Sequence, residues 1–443
     1  MTYTEDIIST LTLMGQDEKF WYVRFEPLMV DFTKPFKGRM VCCTPSKELK
    51  VEFSDLYEKN GIKSILSLIF AKGNTVLSWD IKYFASYLKK RFPTCNIPFN
   101  CRLIDIKYGL SFYGIRNQSE PKSFCEAIKF AKVFVNDVNW QKISKQIFNP
   151  LATDVLPAIE TKGVVNTTTS QAMYSSYEID AQVNGRLSTH KVSDHYITPH
   201  SLTPELRDII APRCEDYESD LFAYFDYNNM EVAVLQWLTK DPELEKLLSC
   251  GRDFYTVLYE FMFKTECDSA KRELAKGFFL PIMYGLQANN LSKKLKVSVS
   301  DAEDIISKQN QTFKIATGWL LEKQLETLEN SIGIDRFGRK RDFKNMPAYL
   351  RRNFEVQSPG SLVCLDKLCC LGKKFKSNLA LCIHDGYILT IPSKSVSEYI
   401  VEIKEVLQSP SALAEGLKLN VSCKLGSRLG NLNKIKESEL WSK

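Results

Sequence analysis

The chain has 443 residues, a formal charge of +6 and 13 cysteines without metal-ligand or disulfide-framework spacing. That length holds two or three domains with sizeable cores; the mild charge permits a nucleic-acid partner without establishing one, and the cysteines argue against a zinc site or a stapled scaffold. No apolar run reaches membrane-span length and the acidic start MTYTEDIIST lacks signal-peptide character, so a soluble, unprocessed protein in a reducing cytoplasm, with no membrane partner, is expected.

Residues 1–148 read as a small α/β domain: strand-like FWYVRF and GRMVCC, a helix from Ser54 to Phe70, apolar TVLSWDI, and a helix through Tyr83 to Lys90. From Asn149 to Asn184 the pattern gives one helical segment, PLATDVLPAIETKG, then a Ser/Thr-rich stretch with few core residues. Leu221 to Phe225 is short, apolar and aromatic, the pattern of a buried strand, and it ends at Asp226; Met230 to Leu238 then has helical spacing. Residues 241–344 read as mostly helical, with Ser300-Asp301-Ala302-Glu303 as a capping box before IISKQ. A helix from Ser361 to Leu371 follows, then a hairpin from Leu381 to Ile391 turning at His384-Asp385-Gly386, a helix from Ser395 to Leu407 and a strand from Leu417 to Cys423.

Two patterns carry chemistry. Asp226 and Asp385 fall on turns of what reads as one sheet, where a pair of carboxylates can hold divalent cations for in-line phosphoryl transfer; each acid taken singly is equally a turn residue. Between them, Arg272, Lys276, Leu280 and Tyr284 recur at i, i+4, i+8 and i+12, one stripe of a helix. Two cations followed by two flat groups suit a nucleoside triphosphate, while the helix alone also reads as an amphipathic element with a solvated charged face. The basic clusters Lys293-Lys294-Lys296 and Lys373-Lys374-Lys376 can follow a phosphate backbone or simply face water.

DYNNME (226–231), RxxxKxxxLxxxYG (272–285) and HDG (384–386), in that order, resemble motifs A, B and C of the family A DNA polymerases, the DNA polymerase I family. Asn184 to Ser188 is similar to the family's TGRLSS segment, Gly251 to Tyr255 to its GxDIH and Arg336 to Arg341 to its LFGRRR, so the resemblance runs from about Ala158 to Leu432. It implies an α+β fold: an antiparallel palm sheet with helical fingers, preceded by an α/β exonuclease-like (ribonuclease H-like) domain. The implied boundaries are 1–148 for the exonuclease-like domain, 149–205 for a short connector where the family has its thumb, and 206–443 for the polymerase domain, with palm at 206–240 and 345–443 and fingers at 241–344.

The resemblance implies a template-directed DNA polymerase that adds deoxynucleotides to a primer 3′-hydroxyl and releases pyrophosphate, in replication or repair. Asp226, Asp385 and the main-chain carbonyl of Tyr227 are the expected ligands of two Mg²⁺ ions, with Mn²⁺ as a substitute. Arg272 and Lys276 are expected on the β- and γ-phosphates, Lys276 also as general acid, Leu280 and Tyr284 against sugar and base, and Glu231 where a ribose 2′-hydroxyl would go. Arg186, His384 and Arg351 are the expected DNA contacts, Arg186 in the minor groove at the primer terminus. His384 alone is as readily structural.

The chain departs from the family pattern at several points. Where the exonuclease has DxE this chain has Arg24-Phe25-Glu26, and where it has NxxxD the terminal acid is Phe84, with Asp137 as a candidate later acid. Too few carboxylates remain to hold two metals, so no proofreading is expected; an unrelated α/β module fits the same residues. The short connector implies weak DNA affinity unless a protein subunit or processivity factor replaces the thumb, and a viral origin with action in host cytoplasm fits so compact a form. Leu280 stands for the family's Phe or Tyr, Pro281 for Gly, which predicts a kinked fingers helix, and Gly386 for a Glu. These changes leave two alternatives open: a single-subunit RNA polymerase-like enzyme, or a non-catalytic DNA-binding or assembly subunit.

Overall fold

The structure is a computed structural model that describes residues 20–26, 39–44, 48–52, 64, 66–91, 99–116, 118–179, 182–213 and 220–435. The expected helix from Ser54 lies largely outside the described residues, as do the acidic N-terminus and the side chains of Phe25 and Glu26. The fold is mixed, with helices and sheets in both α/β and more segregated arrangements.

In chain order the strands are β1 (Phe20–Glu26), β2 (Arg39–Cys43), β3 (Glu48–Glu52), β4 (Thr75–Ser78), β5 (Arg102–Asp105), β6 (Val164–Asn166), β7 (Gln171–Met173), β8 (Ser176–Glu178), β9 (Ser188–His190), β10 (Ile210–Ala211), β11 (Asp220–Asn228), β12 (Ile332–Ile334), β13 (Lys340–Asp342), β14 (Leu379–Ile383), β15 (Gly386–Pro392), β16 (Asn420–Gly426) and β17 (Asn433–Lys434). The α-helices are α1 (Ile81–Arg91), α2 (Ile106–Phe112), α3 (Phe124–Ala131), α4 (Val138–Ile143), α5 (Leu156–Lys162), α6 (Pro204–Asp208), α7 (Met230–Thr239), α8 (Pro242–Leu248), α9 (Phe254–Phe263), α10 (Ser269–Met283), α11 (Ala288–Leu295), α12 (Val299–Thr312), α13 (Lys314–Glu329), α14 (Leu350–Phe375) and α15 (Val396–Gln408).

Two compact units emerge: Met1–Asp226 with Cys364–Ser409 and Val421–Lys443, and Tyr227–Val363 with Pro410–Asn420. The first unit holds two five-stranded sheets. One has the order β3-β2-β1-β4-β5, antiparallel from β3 to β1 and parallel from β1 through β4 to β5. Its interior is built from Trp21, Tyr22, Val23, Val41, Val76 and Leu77, all at most 1% exposed. The other has the order β14-β15-β11-β16-β17, with β15 antiparallel to both of its neighbours.

Between these sheets in sequence lies the Ser/Thr-rich stretch expected to hold few core residues, and the few it holds are firmly placed. Val164 to His190 supplies β6 to β9, and Val164, Tyr177 and Ile179 are buried. Tyr177 is the anchor: its hydroxyl accepts from the Cys382 N–H at 2.8 Å and lies 3.2 Å from the Cys382 carbonyl, in β14. Val164 joins Ile197, Leu202, Ile210, Phe222, Leu381, Ile388 and Leu429 in one apolar cluster. Threonine is at home in strands, so a Ser/Thr-rich composition with few core residues does not exclude short ones.

The second unit is mostly helical, α7 to α13 plus the β12/β13 hairpin. Two helix starts differ from expectation. The capping box belongs to Ser298 and Asp301, whose side chains exchange bonds with each other's backbone N–H, so the N-cap of α12 lies two residues before Ser300. The helix expected from Ser361 begins at Leu350 and runs through Pro359. Burial of Phe354, Val356, Leu362 and Val363 outweighs the bond that the proline removes, and Gly360 faces Val234 and Met230 of α7 closely enough that a Cβ would touch both.

Candidate active site

Asp226 and Asp385 are brought to one edge of the β11/β15 pair. The register Phe222↔Thr390 through Asp226↔Gly386 places Asp226 directly opposite the residue that follows Asp385. Phe222 and Phe225 are fully buried and fix the strand, whereas Asp226 is only partly covered. The hairpin between β14 and β15 turns in two residues, His384 and Asp385, and His384 takes the left-handed conformation (φ 54°) that tight hairpin turns demand. The expected turn is therefore where the sequence put it.

The surroundings are cationic and aromatic. An Arg186 guanidinium nitrogen lies 4.0 Å from Asp385 Oδ1, a loose ion pair. His384 packs on His200 with ring centroids 4.6 Å apart. His200 is pushed down to about 4 by its burial and then by the charges of His384 and Arg186, so it is neutral at neutral pH. Two groups register the negative field of the acids: burial and then Asp226 and Asp385 raise the Tyr224 phenol, and burial and then Asp385 raise the Cys364 thiol. Hard oxygen donors from two partly exposed carboxylates fit magnesium, which keeps water and takes substrate phosphates besides a few protein ligands. Among the described residues no cluster of three or more His, Cys, Asp or Glu side chains could hold a metal, and two carboxylates meet magnesium's needs.

The second unit carries the basic stripe. On α10, Ala275, Phe278, Phe279, Ile282 and Met283 are buried, leaving Arg272, Lys276 and Leu280 on the accessible side with Tyr284 at the C-cap. The helix continues through Pro281. Arg272 makes a two-pronged pair with Asp253, Nε to Oδ1 and Nη2 to Oδ2 both at 2.9 Å, and meets Glu273 at 2.7 Å. That pairing raises the guanidinium and, against the opposing effect of partial burial, holds the Asp253 carboxyl below its usual range. Lys276 is exposed. Tyr284 donates to Glu231 Oε2 at 2.5 Å and Gln357 donates to Oε1 at 3.0 Å, so both carboxylate oxygens of Glu231 are held. The sequence gives no sign that Asp253 pairs with Arg272 or that Gln357, 126 residues from Glu231, holds that glutamate.

Other expected site residues sit differently. Arg351 is 3% exposed, paired with Glu355 and donating to the Ile334 carbonyl at 3.2 Å, so its guanidinium faces the interior of its own unit instead of a phosphate backbone. Tyr227 buries its ring, which leaves the main chain as the group it can offer. Of the basic clusters, Lys374 and Lys376 pair with Glu402 and Asp154 at 2.7 and 2.8 Å, while Lys293, Lys294 and Lys296 are exposed.

At the N-terminal sheet the acids are committed elsewhere. Lys107 Nζ lies 2.7 Å from Asp80 and 2.9 Å from Glu178, and Tyr108 donates to Asp80 at 2.6 Å. Asp105 caps α2 and receives the Ile81 N–H at 2.9 Å; burial and then Asp80 push it up to about 7. Phe84 is buried, and Asp137 caps α4 by accepting from the Trp140 N–H.

The profile of the family described as DNA polymerase family A matches residues 138–431, well over half of the chain. The chain belongs to DNA polymerase family A. Both the acid pair and the basic stripe lie inside the matched region. Similar proteins include the thermostable DNA polymerase I of Thermus filiformis, 25% identical over 266 residues (56% of this chain, 32% of that protein). DNA polymerase I of Helicobacter pylori is 28% identical over 195 residues (41% and 22%), and that of Bacillus subtilis 24% identical over 237 residues (49% and 26%). The chain thus spans a third or less of the length of these relatives. No helix among the described residues is long and apolar enough to cross a membrane.

Proposed function

We propose that this chain is a template-directed DNA polymerase that extends a primer with deoxynucleotides. The observation that carries the reading is the β11/β15 register, which sets Asp226 beside the Asp385 turn in a family A chain. In this reading the β14-β15-β11-β16-β17 sheet is the palm, residues 241–344 are the fingers, and the N-terminal sheet is an exonuclease-like domain without proofreading.

Two divalent cations, when bound, supply Lewis acidity at the primer hydroxyl and the α-phosphate. Asp226, Asp385 and the Tyr227 carbonyl would hold them. Arg272 takes the β- and γ-phosphates by exchanging one planar, two-pronged partner, Asp253, for another of similar geometry. Lys276, exposed and one turn on, donates a proton to the leaving pyrophosphate. Glu231, fixed at both oxygens by Tyr284 and Gln357, forms a rigid wall on the 2′ side of the sugar, which disfavours ribonucleotides. Leu280 and Tyr284 pack against sugar and base, Arg186 turns from Asp385 to the minor groove at the primer terminus, and His384 steadies the primer end. The proposed partners are primer-template DNA, deoxynucleoside triphosphates and a protein that stands in for the thumb.

Primer extension with Mg²⁺ and either deoxy- or ribonucleotides tests this, with Asp226→Asn as control. Extension with deoxynucleotides only, lost in Asp226→Asn, is the expected result. Extension with ribonucleotides alone, or none under any condition, overturns it.

A further inference from the structure

Gly386 stands beside the two acids where the family has a glutamate, and the structure shows what fills that space. Asp226 faces Gly386 and Tyr224 faces Ile388 across the β11/β15 pair. Two apart on one strand, Tyr224 and Asp226 project from the same face. The Tyr224 ring leans along that face onto the glycine: a Cβ built at position 386 would lie 2.5 Å from Tyr224 Cε2 and 2.7 Å from its hydroxyl oxygen. A Cβ there would force the Tyr224 ring aside, so the ring takes the volume a side chain at 386 would need, a cross-strand cover over a glycine. Because Gly386 is the cross-strand partner of Asp226, this sets the Tyr224 hydroxyl on the same face as the Asp226 side chain and next to it, and the Lys424 ammonium lies 5.9 Å from the ring centroid.

We propose that Tyr224 is the positioning residue for Asp226, its O–H holding the carboxylate in the orientation that receives a cation and its ring standing in for a side chain at position 386. The inference rests on the polymerase reading of Asp226 and Asp385. A carboxylate with one oxygen held by a neutral donor is oriented before the cation arrives. Tyrosine does this without adding a third negative charge, and it requires glycine opposite.

The test uses the full chain. Mn²⁺ binding is followed by calorimetry without DNA or nucleotide, and primer extension is followed in parallel. Tyr224→Phe keeps the ring over Gly386 and removes only the hydroxyl. It is expected to weaken Mn²⁺ binding and raise the half-saturating Mg²⁺ in extension, each by about tenfold, with the nucleotide KM and the melting curve unchanged. In Tyr224→Ala the space beside position 386 opens, so Tyr224→Ala/Gly386→Glu should regain Mn²⁺ affinity lost in Tyr224→Ala. A Tyr224→Phe protein indistinguishable from wild type in both metal readouts overturns the inference, as does a wild-type chain that binds no Mn²⁺. Mn²⁺ binding that depends on Tyr224 in a chain that never extends a primer overturns the polymerase reading and leaves the tyrosine's role standing.

Discussion

The first unit contains two sets of carboxylates, and they have opposite fates. At the β11/β15 edge, Asp226 and Asp385 are partly open, with a loose arginine pair at 4.0 Å and a tyrosine hydroxyl near them. At the β4/β5 edge, Asp80 and Glu178 are bound to Lys107 within 2.9 Å, Tyr108 closes on Asp80, and Asp105 is spent on backbone N–H groups. A fixed ammonium already supplies the positive charge that a metal would bring. What separates the open acids from the bound ones is the company of the carboxylate, since the residue type and its place at a strand end are alike.

Three experiments sharpen or break that contrast. The largest effect is expected at the open edge. Asp385→Asn should lower extension by about a thousandfold or more, since a ligand to a Lewis-acidic ion supports several kcal/mol of transition-state stabilisation. Glu178→Gln should leave extension within about twofold, measured as single-nucleotide incorporation; comparable losses in both would break the contrast.

Next comes the buried pair behind the N-terminal cluster. Lys82 and Glu160 lie 2.8 Å apart and are both almost completely inaccessible, with Ser86 and the Tyr177 N–H also on Glu160. Lys82→Met strands that carboxylate, and chemical denaturation should show a loss of about 3–5 kcal/mol. A loss under about 1 kcal/mol would mean that water replaces the ammonium.

The smallest effect concerns pH. Asp105 holds its proton more tightly folded than unfolded, so the native state binds more protons between the ordinary carboxylate range and about 7. Stability from this group is therefore fully present at low pH, falls as pH rises through that window, and is flat above it. Asp105→Asn keeps a capping acceptor and should flatten that slope in melts taken from pH 4 to 8. A slope unchanged by the substitution would remove the titration from the buried carboxyl.

Much of this site could be read from the sequence because its signals are local. Two apolar runs about the His384-Asp385-Gly386 turn located the hairpin, and spacing by four located the stripe on α10, whose buried face is the complementary one. The resemblance ordered these pieces. Harder to read was whatever depends on distant partners. Tyr177 sits in a Ser/Thr-rich stretch and finds its hydrogen-bond partner, the Cys382 N–H, 205 residues away. Arg351 carries a charge that suits a phosphate contact, yet Glu355, one turn along the same helix, takes it inward. Pro359 marks a break by local rules, and packing carries the helix through it. The glycine at 386 reads as the loss of an acid until the ring of Tyr224 is seen lying over it.

Tyr177 also bears on how this protein can be cut down. Its hydroxyl moors the strand that leads into the Asp385 turn, and the Lys82 ammonium donates to the Tyr177 carbonyl at 2.5 Å. A minimal fragment begun downstream of Tyr177 would set the Asp385 turn adrift. The front half of the chain is the quay to which this edge of the sheet is tied.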